Sequence, residues 1–260
     1  MNLELTDKVA LVTGSSRGIG AGVALHLASE GCHLVLTGRD AAALEGTAAK
    51  VHGMGRRASV CAVDLCKPSA AAELITRASA DFGRLDILVN NAGMTKRGDF
   101  LELTDEDWVD GFGLKFFAHV RLSRAAWPLL KAANGSVVMI GGTSGRKPYH
   151  GFAIGSSVNA ACAAFGKALA DLGKRDGVQV NTIHPGHIDT DRLMRRLTAE
   201  VDNTGKSMQQ VRADYCRSMG IDRFGTVDDV SNLIVFIVSK RAPWLIGTTI
   251  DLDGGEIPVL

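Results

Sequence analysis

The sequence lacks most of the features that would mark a specialised chain. Its 260 residues include only two tyrosines, three tryptophans and six prolines. The five cysteines (Cys32, Cys61, Cys66, Cys162, Cys216) are odd in number and form no C-x-x-C pair, which argues against a disulfide framework and reads as reduced thiols. No H-x-x-x-H or Cys/His cluster occurs, so no metal is expected. Charge of neither sign dominates: 29 basic residues face 28 acidic ones, which leaves no electrostatic footprint for nucleic acid or an anionic membrane. The apolar run within MNLELTDKVALVTG is too short to span a bilayer, and acids stand where a signal peptide would be basic. The chain reads as soluble and cytoplasmic. No Pro/Gly/Ser-rich linker divides it, so 1–260 reads as one domain.

What is present is a regular alternation. Apolar, β-branched runs over 9–13, 33–37, 58–63, 87–90, 137–140, 178–183 and 249–252 read as strands. Their near-continuous apolar character implies burial on both faces. Helix-period stretches over 18–29, 41–54, 69–82, 105–131, 152–174 and 227–239 lie between them, and Thr104 followed by Asp107 marks a helix start. The order predicts an α/β fold with a doubly wound parallel sheet of about seven strands and helices on both faces. The stretch 189–220 is polar and weakly patterned, and reads as a lid over a ligand site or as a plain surface excursion.

The first strand runs into Gly14-Ser15-Ser16-Arg17-Gly18-Ile19-Gly20 and then a helix. Gly14 permits the sharp turn, Gly18 lets backbone N–H groups approach a pyrophosphate, and Gly20 allows close helix–strand packing. An anion there sits at a helix N-terminus. This is a Rossmann-type dinucleotide site, to which Ser16, Arg17 and Ile19 contribute. The second strand ends in Thr37-Gly38-Arg39, where a carboxylate would accept the ribose hydroxyls of NAD(H). Gly38 with Arg39 and Arg17 favours the ribose phosphate of NADP(H), unless both arginines are merely solvated.

Asp64 after the third strand, Asn90-Asn91-Ala92-Gly93 after the fourth, Pro185-Gly186 after the sixth, Arg223-Phe224-Gly225 and Asp253-Gly254-Gly255 follow in order. With the glycine turn, they resemble the short-chain dehydrogenase/reductase family over essentially the whole chain. The resemblance implies Asp64 and Leu65 near the adenine, Asn91, Ala92 and Gly93 along the cofactor ribose, and Pro185, Gly186, Ile188 and Thr190 beside the nicotinamide. It also implies a homo-oligomer, tetramer or dimer, through helices 105–131 and 152–174.

That family works with a Tyr-x-x-x-Lys pair, a Ser after the fifth strand and an Asn in the preceding helix. Counting from Trp108 and Arg124 puts Lys115 at the Asn position. Gly142 takes the Ser place beside Thr143, Gly155 the Tyr place and Asn159 the Lys place. Neither Tyr149 nor Tyr215 is followed by a lysine at the fourth position. The chain is similar to a divergent 3-oxoacyl-carrier-protein-reductase-like subgroup that also departs from this tetrad and carries a Leu-Lys pair like Leu114-Lys115. Asn and Lys look exchanged between facing helices, so a buried Lys115 with a lowered pKa reads as acid/base or ribose anchor, its partner being the ribose, Asn159 or the Gly142 carbonyl. An ordinary lysine at an interface is the other reading. His187 stands beside Pro185-Gly186 and suits proton transfer.

The leading expectation is an NADP(H)-dependent oxidoreductase acting on a carbonyl, hydroxyl or activated-alkene substrate, with a non-standard proton-transfer site at Lys115, Asn159, Thr143 and His187. The alternative is a catalytically silent cofactor-binding subunit or sensor, paired with an active paralogue. Non-redox lyase or hydratase chemistry is disfavoured by the intact cofactor motifs.

Overall fold

The run Val9-Ala10-Leu11-Val12-Thr13 is buried along its whole length, as a strand covered on both faces must be. The computed structural model describes residues 1–258. In it this run is β1 (Val9–Thr13) of a seven-stranded sheet ordered β3-β2-β1-β4-β5-β6-β7. The other strands are β2 (His33–Gly38), β3 (Ala58–Ala62), β4 (Ile87–Asn90), β5 (Ser136–Ile140), β6 (Gln179–Pro185) and β7 (Thr249–Leu252). All pair in parallel, which obliges each connection to cross over the sheet.

Those crossovers carry α1 (Gly18–Ser29), α2 (Ala41–Gly53), α3 (Ala70–Phe82), α4 (Asp105–Phe112), α5 (Ala118–Ala133), α6 (Ala153–Asp176), α7 (Asp191–Thr204), α8 (Met208–Met219) and α9 (Val227–Ile237). The period of two along each strand sorts the core onto two faces. Ala10, Val12, Leu34 and Leu36 pack with Val23 and Leu27 of α1 and Ile234 of α9. Val9, Leu11, Val35 and Leu88 pack on the other face with Leu74 of α3, Leu122 of α5 and Ala170 of α6. Truncating a fully buried side chain such as Leu11 costs about 2–5 kcal/mol. The run His150–Asp176 is long and apolar enough to cross a bilayer. Its Ile154, Val158 and Cys162 instead pack with Trp108 and Phe112.

Three elements differ from the sequence expectation. The helix expected over 105–131 is interrupted by a π turn, Gly113–Phe117, that carries Lys115 between α4 and α5. Such turns widen a helix and re-aim its side chains. The stretch 189–220 is helical: α7 and α8 close over a small apolar cluster of Leu193, Leu197, Val211, Ile221 and Phe224. Helix α6 starts at Ala153 and runs on to Asp176, where Gly177 ends it in the left-handed region. Thr104 and Asp107 form the anticipated capping box at α4.

Strand β1 pairs with β2 on one side and β4 on the other. The connections after β1 and β4 therefore leave in opposite directions, and a crevice opens at their carboxyl ends.

Candidate functional site

Thr13 and Asn91 hold that crevice in shape. The amides of Asn91 and Ala92 both donate to Thr13 Oγ1 at 2.8 Å, and Asn91 Nδ2 donates to the Thr13 carbonyl at 2.8 Å. Gly14 turns the chain at φ 67°, a conformation that favours glycine. A Cβ at Gly20 would lie 2.2 Å from the Gly14 carbonyl oxygen. Only hydrogen fits there, which lets α1 start directly behind the turn. The first turn of α1 has no acidic residue and no side-chain cap, so its N–H groups and its dipole are left for an anion. These residues fit the pyrophosphate of a dinucleotide.

The cleft that extends from this turn has a volume of ≈ 1300 Å³. The residues expected to contact the cofactor line it: Gly14, Ser16 to Gly20, Arg39, Asp64 and Leu65 at one end, Asn91 to Gly93 in the middle, and Pro185, Gly186, Ile188 and Thr190 along the far wall. Lys115, Thr143, Asn159 and His187 line it too. Arg17 and Arg39 are exposed, and neither pairs with a carboxylate among the described residues. Asp40 also lines the cleft, which the sequence reading passed over. Its carboxylate is taken up by α2, whose Ala43 amide donates to it at 3.0 Å.

At the other end the side chains fit one another closely. The Lys115 amine donates to the Gly141 carbonyl at 2.9 Å, so its partner is neither Asn159 nor Gly142. Burial pushes its pKa down to about 8, because desolvation disfavours the ammonium. The stem of Lys115 packs where a Cβ on Gly93 would meet it at 2.8 Å. Asn159 is buried and donates from Nδ2 to Ser144 Oγ at 2.9 Å, while its Oδ1 has no partner among the described residues. A Cβ on Gly142 would lie 2.8 Å from Asn159 Nδ2. A Cβ on Gly155 would lie 2.1 Å from the Phe152 ring. Each of these glycines leaves a space that a neighbouring side chain fills.

His184 is fully buried rather than open at the mouth. Its Nδ1 accepts the Gly142 N–H at 2.8 Å, and burial, then the nearby Lys115 and Arg146 cations, lower its pKa to about 4. Beneath Lys115 lies His119, whose Nε2 meets the Ala92 carbonyl at 3.2 Å and whose pKa burial and then Lys115 push down to about 3. His187 Nδ1 meets Glu256 Oε2 at 2.9 Å. Sequence reasoning missed Arg97, Phe152 and Arg192, all of which line this end. The one available signal was Gly155, whose missing side chain makes room for the Phe152 ring.

The doubly wound sheet, the glycine turn and the cleft at the strand ends define a Rossmann-type α/β protein. The chain belongs to the short chain dehydrogenase family, an oxidoreductase family whose match covers residues 8–201. It is 35% identical over 253 residues to an uncharacterized oxidoreductase of Mycobacterium tuberculosis (strain CDC 1551 / Oshkosh), covering 96% of this chain and 92% of that one. It is 31% identical over 256 residues to the 3-oxoacyl-(acyl-carrier-protein) reductase FabG of Escherichia coli (strain K12), covering 98% of each. Among solved structures it superposes on L-sorbose reductase from Gluconobacter frateurii, complexed with NADPH and L-sorbose, with a TM-score of 0.97, 31% identity and full coverage of both chains.

Proposed function

We propose that this chain is an NADP(H)-dependent oxidoreductase of carbonyl, hydroxyl or activated-alkene substrates whose proton is handled by Lys115. The observation that carries this reading is the Lys115 amine itself, half-buried in the cleft with its pKa near 8. A group that titrates near the working pH suits general acid–base work. The Gly141 carbonyl engages the amine, and no second partner for it occurs among the described residues.

Arg17 and Arg39 would hold the ribose phosphate, the start of α1 the pyrophosphate, and Pro185, Gly186, Ile188 and Thr190 the nicotinamide end. NADPH held there would supply the hydride that reduces the substrate carbonyl carbon. Lys115 gives a proton to the substrate oxygen and regains it from water. Thr143 orients that oxygen, Asn159 keeps the turn after β5 in place through Ser144, and His187, steadied by Glu256, lines the opposite wall. The usual tyrosine, lysine, serine and asparagine are replaced by Gly155, Asn159, Gly142 and Lys115, and the mutual fit of these residues favours a rebuilt site over a decayed one. The segment 189–220 serves as the cover of the cleft within one domain.

The test is Lys115→Met, assayed by NADPH oxidation over a panel of ketones, quinones and enoyl thioesters. Turnover is expected to fall by roughly 10²–10⁴-fold, with NADPH affinity changed only a few-fold. In the wild type, reduction should decline as pH rises through about 8, where Lys115 loses its proton. Turnover that survives Lys115→Met unchanged, with the same pH profile, defeats the assignment. No turnover on any substrate, together with intact NADPH binding, would favour a silent cofactor-binding subunit.

A further inference from the structure

We propose that the substrate of this cleft carries an anionic group, a carboxylate or a phosphate, and that Arg97 and Arg192 seat it. The inference rests on the oxidoreductase reading and names its substrate class. Arg97 follows β4 by a short loop, and its guanidinium lies 3.7 Å from the centroid of the Phe152 ring. It also donates to the Tyr149 hydroxyl. The Phe152 ring occupies the space that any side chain at Gly155 would claim, so the missing Cβ at Gly155 is what lets the aromatic platform under Arg97 form. Stacking of this kind fixes the plane of a guanidinium, and the N–H groups not used by Tyr149 face the cleft for a ligand.

Arg192, at the start of α7, reaches across the cleft and donates to the Gly93 carbonyl at 2.8 Å. Its pKa is held below the usual guanidinium range by burial and then by the Arg195, Arg17 and Arg97 cations. Neither Arg97 nor Arg192 has a carboxylate within ion-pair distance among the described residues, and the same holds for Arg195 and Lys147 at this end of the cleft. The facing acids are few. Glu256 is engaged by His187, and Asp191 sits in the first turn of α7. A concave surface lined by cations of one sign focuses its field on an incoming anion, and planar forks suit a carboxylate or phosphate in particular. The dinucleotide's phosphates are already provided for by α1, Arg17 and Arg39.

The experiment titrates matched pairs of small carbonyl compounds into the protein by calorimetry, with and without saturating NADP⁺. The pairs are acetoacetate against its methyl ester, for the carboxylate, and dihydroxyacetone phosphate against dihydroxyacetone, for the phosphate. One charged member should bind about tenfold or more tightly than its neutral counterpart. Arg97→Gln and Arg192→Gln should each remove most of that preference. Lys174→Gln, a surface charge outside the cleft, should keep it. Equal binding of charged and neutral members, no binding of either, or a preference that survives both arginine variants would overturn the inference. Failure of NADP⁺ itself to bind would instead defeat the oxidoreductase reading, and the titrations without cofactor would still decide the anion site.

Discussion

The peptide between Gly141 and Gly142 is gripped from both sides, its carbonyl by the Lys115 amine and its N–H by His184 Nδ1. An accepting Nδ1 requires the His184 proton on Nε2 and a neutral ring, in keeping with its lowered pKa of about 4. An unfolded histidine takes up a proton near 6.5. Between about pH 6.5 and 4 the unfolded chain therefore binds the proton and the folded one does not, so stability falls as pH drops through that window and levels off below it. His184→Asn keeps an acceptor for Gly142 and removes the titration. Its acid unfolding, followed by circular dichroism from pH 7 to 4, should be less steep than the wild type's. At the other end of the cleft, Arg39→Ala should cut a preference for NADPH over NADH that we expect to be about ten- to hundredfold, the scale of one charge-assisted contact. Calorimetry showing equal affinities in the wild type would show that Arg17 and Arg39 are only solvated charges.

Element by element, placement depends on small residues where two pieces of backbone meet. The turn between β1 and α1 leaves no room for a methyl group at Gly20, because the Gly14 carbonyl lies in its way. Gly20→Ala is expected to cost about 1–3 kcal/mol, as overpacking against rigid backbone does. It should also weaken NADPH binding by more than tenfold, since α1 is then pushed away from the turn. Thermal unfolding and cofactor titration measure both, and a variant with unchanged cofactor affinity would mean that the close approach of α1 to β1 is not needed. The π turn Gly113–Phe117 works in the same manner, breaking the regular helix where Lys115 must leave it to reach Gly141. Periodicity alone read 105–131 as one helix, since a single π turn barely disturbs the apolar spacing. The polar faces of α7 and α8 concealed their helicity for a related reason: only a few positions, such as Leu193 and Val211, are buried, and they pack on each other rather than on the main core.

For the whole molecule, the exposed apolar side chains Val109 on α4 and Phe117 in the π turn form part of a surface that we expect to be covered by another copy of the chain. Sedimentation should show a dimer or tetramer, and Phe117→Asp combined with Val109→Asp should give monomers that keep the circular dichroism of the fold. A monomeric wild type would refute this. The alternation of buried strands and helices, the glycine turn and the position of Asn91 were legible in the residues, because strand burial and tight turns are decided by neighbours in the chain. The order β3-β2-β1-β4-β5-β6-β7 and the crevice between β1 and β4 came only with the fold, because more than one doubly wound strand order fits the same alternation. Lys115 could be counted to its place, but its carbonyl partner could not, because Gly141 lies on a different strand connection and is met only when β5 and the π turn come together. The aromatic platform of Arg97 was likewise invisible, since Gly155, Phe152 and Arg97 become neighbours through the packing of α6 against the loop after β4. Local chemistry along the chain determined the fold class and the glycine turn after β1. Contacts between segments far apart in sequence decided which groups gather around Lys115, because burial, pKa and charge crowding are properties of the assembled cleft.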